Sequence, residues 1–300
     1  MQAFQVAILL GLMAAVSWGV SDFLIGRSSK AAGAMKGALL INTYGALVYA
    51  AVFVLFLYRH ASFTAEGMGY AAAGGVFFGL AQAVFFKAMN LGPVGLVSAV
   101  SSTFPLVTLL AGVALFAERL YLIQVLGILF IVGGVVVASD MGTGKPLKST
   151  PGSRRPGRGP VVALAPAFGW GIGYVFIARG IKSMGWESTL LVELLVVPVA
   201  LGFLVPFIRG SEQVAVKAFR ARWLLPAVWG AAIIQMVGLL AVNLGLSKIP
   251  NNAAVVIAVS SCYPALTIFL AFRHLRERIP LAPLLGGLVS VAGVVLLSLG

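Results

Sequence analysis

The chain has 300 residues, 60% of them hydrophobic and only 10% charged, with a mean hydropathy of +1.04. A soluble domain carries about 25% charged residues, so there is too little polar surface here to coat a water-facing globule, and lipid is the solvent for most side chains. The net charge of +13 is spread in short basic clusters between long apolar runs, which is the pattern of loops at a membrane surface and not of a nucleic-acid-binding face.

Apolar runs long enough to cross about 30 Å of hydrocarbon, at about 1.5 Å per residue, recur along the chain. They are predicted at 4–26, 37–58, 68–90, 95–116, 120–139, 161–180, 188–209, 223–245, 253–272 and 281–299. Met1–Gln5 lack the basic stretch of a signal peptide, so the first run is expected to be retained as a span. No run shows the alternation of a membrane β-strand, and helices are the other way to satisfy a backbone in lipid. The expectation is an all-α integral membrane protein of ten transmembrane helices.

Between the fifth and sixth runs lies Asp140–Pro160 (DMGTGKPLKSTPGSRRPGRGP), rich in Gly, Pro, Ser and basic residues. This composition predicts a flexible linker dividing a first five-helix unit, 1–139, from a second, 161–300. Its GTGK, 142–145, is no phosphate loop, since Pro146 stands where that motif needs Ser or Thr. The single cysteine, Cys262, excludes an intrachain disulfide. His60 and His274 lie too far apart to build a metal cluster. No metal and no cofactor is expected.

The two units resemble each other. VSAVSSTFPLVT (97–108) recurs as VIAVSSCYPALT (256–267), and ERLYLIQVLGILFIVGGVVVAS (118–139) recurs as ERIPLAPLLGGLVSVAGVVLLS (277–298). SWGVSDFLIGR (17–27) parallels GWGIGYVFIAR (169–179) in the same order. The repeated pairs include Trp18/Trp170, Pro105/Pro264, Glu118/Glu277 and Arg119/Arg278, residue types that are rare in membrane spans and that argue for duplication over chance. Adjacent units with an odd number of spans insert with opposite topology. Two inverted five-helix repeats are therefore expected around a central cavity near the middle of the bilayer.

At these residues, and above all at the Trp-Gly of SWGVSDF and the run ALFAERLYLIQVLGILFIVGGVVVAS, the chain resembles the EamA family of the drug/metabolite transporter superfamily. The resemblance covers nearly the whole chain. It implies ten helices in two inverted repeats and a central site lined mainly by helices 1, 3, 4, 6, 8 and 9. It also implies transport of small metabolites, often export of amino acids, without identifying one.

Several residues are candidates for that site. Pro105 and Pro264 fall near the middle of helices 4 and 9 and are expected to kink them. Each proline frees a carbonyl, at Ser101 or Ser260, beside the hydroxyls of Ser102, Ser261 and Tyr263. Either these groups face a wet cavity and contact a solute, or the serines satisfy their own helix. Gln82 and Gln235 place amides near the centres of helices 3 and 8, for interhelical bonds or for ligand. Trp18, Phe85, Phe86, Trp170 and Tyr174 are candidate aromatic walls, although Trp and Tyr also favour the membrane interfaces. Asp22 in helix 1 and Glu193 in helix 7 are the acids within spans and the candidates for a coupling proton; Asp22 is also a candidate for a substrate amine. Both lie near enough to a helix end to pair locally instead.

These features predict a secondary transporter moving neutral or zwitterionic small molecules, such as amino acids, with a proton gradient as one candidate source of coupling. Its partners are the solute and the lipid bilayer of the inner or plasma membrane, with the chain a monomer or homodimer. An integral-membrane enzyme would display clustered Asp, Glu or His at one face, whereas the eight acids here are scattered; a non-transporting sensor is a third reading. With the termini cytoplasmic, only Arg59, Arg119, Arg179, Lys182 and Lys248 would lie on the cytoplasmic side, and the other sixteen Lys and Arg opposite. The charge rule therefore places both termini outside. A cysteine placed in 140–160 of a Cys262→Ala chain is accordingly expected to react with an impermeant maleimide only when the cytoplasmic face is exposed; labelling from the outer face would reverse the orientation.

Overall fold

The computed structural model describes residues 2–116, 122–139, 158–204, 224–249, 253–275 and 281–299. Among the described residues all regular structure is helical. The expected Glu118-Arg119 and Glu277-Arg278 turns, and most of the 140–160 linker, lie outside them.

In chain order, α1 spans Gln2–Ala32 and α2 spans Ala34–Val52, continued by a π turn, Phe53–Leu57, and a short 3₁₀ turn, Tyr58–His60. The helix α3, Ala65–Leu91, opens on Thr64, whose hydroxyl accepts from the Gly67 N–H at 3.0 Å. This satisfies one orphan donor of the first turn, and Glu66 complements the dipole there. Next come α4 (Val94–Ser101), α5 (Phe104–Phe116) and α6 (Leu122–Ser139). The second unit contains α7 (Arg158–Val162), α8 (Leu164–Leu204), α9 (Leu224–Lys248), α10 (Ala253–Ser260), α11 (Pro264–Leu275) and α12 (Leu281–Leu299).

Among the described residues seven helical stretches are long and apolar enough to cross a membrane. One of them, Arg158–Leu204, has 47 residues and would be about 70 Å long if straight, more than twice the hydrocarbon thickness. It is not straight. Gly185 has φ +81° and ψ 164° and divides α8 at the junction expected between the sixth and seventh runs. The helices α6 and α12, of 18 and 19 residues, lie outside those seven and pack on each other.

Gly33, between α1 and α2, has the same left-handed geometry, with φ +91° and ψ 147°. Both glycines sit in a region of backbone space that side chains with a Cβ scarcely enter. They are 152 residues apart, the same offset that relates Trp18 to Trp170, and each closes an Arg-x-x-Lys-x-x-Gly sequence, 27–33 and 179–185. The joint between first and second helix is thus built identically in both units.

Helices 4 and 9 run as single spans, Val94–Leu115 and Val256–His274, with the expected irregularity in each. The regular α-helix is interrupted by turns at 102–103 and at 261–263. Pro105 is then the second residue of α5 and Pro264 the first of α11, positions where the missing N–H is not needed. Across the molecule, α1 packs on α9 and α3 on α8, while α4 packs on α11 and α10 on α5. The Trp-Gly pairs explain how closely these helices come. A Cβ on Gly19 would lie 2.9 Å from the Tyr263 carbonyl, and one on Gly171 would lie 2.8 Å from the Phe104 carbonyl. Only glycine lets α1 and α8 approach the broken helices to this distance.

Gly33→Ala and Gly185→Ala are each expected to cost about 1–3 kcal/mol, read as a lowered unfolding midpoint in detergent. The double variant is expected to lose about the sum, as for independent sites; unchanged midpoints would remove the strain argument.

Candidate functional site

A partly open cavity lies where the two units meet. Each helix contributes one face. From α1 come Trp18, Ser21, Asp22 and Ile25, at helical spacings of three and four residues, and from α3 come Phe78, Gln82 and Phe85. The second unit supplies Trp170 and Tyr174 from α8 and Gln235 and Leu239 from α9. Phe104 and Tyr263, at the starts of α5 and α11, complete the wall.

The rings form one connected set. Trp18 lies 5.9 Å from Tyr263 and 6.3 Å from Phe104, both edge-on. Phe104 stacks on Tyr174 at 5.3 Å, and Trp170 packs against Phe85 at 4.9 Å. Tyr174 meets Phe78 edge-on at 4.9 Å. Edge-to-face and offset contacts of this kind hold rings in defined orientations, so the wall is shaped before any solute arrives.

Three polar atoms of the wall, Gln82 Oε1, Gln235 Oε1 and Trp170 Nε1, are buried without a hydrogen-bond partner among the described residues. Buried polar atoms are nearly always paired, and an amide left unpaired at this depth is costly in lipid. Their convergence on one cavity is what a ligand or ordered water would satisfy.

Asp22 is 7% exposed and is held from the side away from the cavity. Ser98 of α4 donates its hydroxyl to Asp22 Oδ2 at 2.7 Å, and the Ser98 oxygen also lies 3.3 Å from Thr267 Oγ1. Thr267, on α11, donates to the Gly19 carbonyl at 3.1 Å. A short hydroxyl chain therefore joins α1 and α4 of the first unit to α11 of the second. Ser98 and Thr267 carry no mark in the sequence beyond being small and polar. Phe104 does carry one: it stands 159 residues before Tyr263, so the repeat itself points to it.

The other candidates take different places. Ser101, Ser102, Ser260, Ser261 and Phe86 are not among the residues lining the cavity. The serine hydroxyls turn back onto their own helices: Ser101 donates to the Val97 carbonyl at 2.9 Å and Ser102 to Ala99 at 2.8 Å. Ser260 donates to Ile257 at 2.9 Å and Ser261 to Ala258 at 2.8 Å. These hydroxyls therefore serve carbonyls of their own helices and not those of Ser101 or Ser260. Ser101 has a second role, since its Oγ lies 3.3 Å from the Tyr263 hydroxyl and orients that ring across the interface between units. Phe86 is fully buried against Phe85. Glu193 is 1% exposed and is also not part of the cavity lining. The Asn243 amide donates to the Leu239 carbonyl at 2.9 Å. Neither carboxylate oxygen of Glu193 forms a hydrogen bond among the described residues.

The comparisons with known proteins agree with this architecture. The model of the EamA-like transporter family matches residues 5–139 and again 157–299. The chain belongs to the EamA-like transporter family. It is thus a multi-pass membrane protein of transporter type, with a family repeat in each half. No curated protein matches the chain in sequence. Among 28 matching chains of solved structures, one described only as "Crystal structure of protein" aligns with a TM-score of 0.65 at 20% identity, covering 98% of this chain and 96% of that one. That likeness concerns the fold alone.

Removing the Ser98 hydroxyl leaves the Asp22 carboxyl buried without its donor. Ser98→Ala is expected to lower stability by about 1–3 kcal/mol, whereas Ser102→Ala, at a half-buried hydroxyl that touches only its own helix, is expected to cost less than half as much. Thermal unfolding of the two variants side by side checks the order, and equal losses would refute it.

Proposed function

We propose that this EamA-family chain is a secondary transporter that exports small organic metabolites by alternating access. The observation that carries the reading is the cavity itself. It draws its wall from both units and sets residues with unpartnered polar atoms into an aromatic enclosure. Helices 1, 3 and 4 and their counterparts 6, 8 and 9 each give at least one residue to it.

The packing supports units of opposite orientation. The first half of each broken helix lies against the second half of the other, α4 on α11 and α10 on α5, as two antiparallel spans would. Dividing α8 at Gly185 and adding α6 and α12 to the remaining crossings gives our reading of ten spans in two inverted sets of five. Rocking one unit against the other then exposes the cavity first to one face and then to the other. Export is the direction that the family resemblance implies.

The solutes that suit this wall are small metabolites carrying an amino group, amino acids among them. Asp22 and Glu193 are the groups placed to carry a coupling proton, Asp22 inside the cavity and Glu193 behind it. No observation favours an enzyme over a carrier, and the family is one of transporters.

Counterflow into liposomes across metabolite classes, with and without a pH gradient, tests the reading. Flux of at least one amine-bearing class is expected, falling about tenfold or more in Gln82→Ala and Gln235→Ala as polar partners of the solute are lost. Flux of sugars or nucleotide conjugates with none of amines would displace the solute assignment. Absence of flux for every class would displace the carrier.

A further inference from the structure

Among the described residues that line the cavity Asp22 is the only acid, and none is Lys, Arg or His. Asp22 projects from the same face of α1 as Trp18, one turn away, and Trp18 in turn touches Tyr263 and Phe104. Gln82 and Gln235 also line the cavity, and their amide oxygens, which are acceptors, have no hydrogen-bond partner among the described residues. From these observations we infer that the site selects organic monocations, amines on an apolar body, over the matching zwitterions and anions. The inference rests on the carrier reading of this cavity and narrows its solute.

The chemistry is that of matched donors and charge. An ammonium group has three N–H donors and no acceptor. Asp22, Gln82 and Gln235 offer it acceptors, one of them a carboxyl that can ionise beside the cation. The negative faces of Trp18 and Tyr263 attract the same charge wherever it lies within about 6 Å of a ring centre. A carboxylate on the solute finds no cation among the described lining residues. The neutral donors of the wall, the Trp170 N–H and the Gln82 and Gln235 amides, answer it only in part, and a second negative charge would share a poorly screened space with Asp22. A zwitterion therefore brings in one favourable group and one unfavourable one, and an anion brings only the latter.

Ser98 makes the arrangement specific to one end of the cavity. By holding Asp22 Oδ2 from behind, it fixes which side of the carboxyl faces the solute. The corresponding positions of the second unit are Tyr174 and Ile257, which carry no charge. The amine thus has a single docking point on a frame that is otherwise repeated.

The test uses the full chain in detergent at pH 7 and four probes on one ring: phenethylamine, phenylalanine, 3-phenylpropionate and 3-phenylpropanol. Calorimetric titration is expected to show phenethylamine binding about tenfold or more tighter than phenylalanine, with 3-phenylpropionate weakest. Asp22→Asn is expected to collapse the amine-to-alcohol affinity ratio to near unity. Tyr263→Leu, which keeps an apolar side chain but removes the ring, is expected to lower that ratio about threefold or more; it serves as the second variant should Asp22→Asn not elute as a folded species. Phenylalanine binding as tightly as phenethylamine, a ratio untouched by both variants, or no binding of any probe would each overturn the inference. Liposome flux separates it from the carrier reading. Preferential amine binding without flux of any solute removes the carrier and leaves the selectivity, whereas flux of phenylalanine with no amine binding does the reverse.

Discussion

How close α1 and α8 come to the broken helices decides where everything else in the molecule can be. At Gly19 and Gly171 the backbones approach so nearly that one added carbon would press on a carbonyl oxygen of the facing segment. In lipid there is no hydrophobic force to drive helices together, because the tails are as apolar as the side chains; contact of this closeness is what dispersion and shape supply instead. Because the tryptophan precedes the glycine, it points about a hundred degrees away around the same helix. One residue therefore seats the helix and its neighbour faces the space that the seating leaves open. The Trp-Gly pair, present once in each unit, links the packing of the bundle to the shape of the cavity.

On this repeated frame the chemistry is distributed unevenly. Gln82 and Gln235 are equivalent, as are Trp18 and Trp170, and both pairs reach the cavity. Asp22 corresponds to Tyr174, Phe104 to Tyr263 and Ser98 to Ile257. Duplication supplied a symmetric enclosure of rings and amides. Later divergence placed a carboxyl with its hydroxyl partner on one side and phenols on the other. The hydroxyl chain from Asp22 through Ser98 to Thr267 crosses between units, so the acid is tied to a helix that would move relative to it if the units rock.

Much of this was legible in the sequence, and for identifiable reasons. Apolar length and the repeated segments marked the helices because lipid imposes both constraints on nearly every residue of a span. Trp18, Asp22, Gln82, Trp170, Tyr174, Gln235 and Tyr263 stood out because large or polar groups are costly in the middle of a bilayer, and the cavity is where the structure puts them. The serines beside Pro105 and Pro264 were ambiguous for a physical reason. A hydroxyl in a helix can serve its own backbone as well as a solute, and sequence spacing is the same for both. Ser98 was invisible since its role depends on which helix faces it. The joint at Gly185 was also readable, through its match to Gly33 and the basic residues before each, yet it needed the glycine's φ to show that the two were the same device. Glu193 could be placed within a span but not behind the wall, since depth along a helix says nothing about which way its face is turned.

The way the two breaks are finished has a mechanical meaning. Where the helix gives way at 102–103, the Thr103 N–H moves to the Val100 carbonyl, and the Ser102 hydroxyl takes up the Ala99 oxygen so released. At the second break the Cys262 N–H shifts to Val259, and Ser261 does the same for Ala258. Each discontinuity thus carries its own substitute donor on a freely rotating side chain. Bending at such a point leaves the Ala99 and Ala258 carbonyls a donor, which lowers the usual penalty for distorting a helix in hydrocarbon. The two segments that flank the solute space are in effect compliant elbows set into otherwise stiff rods.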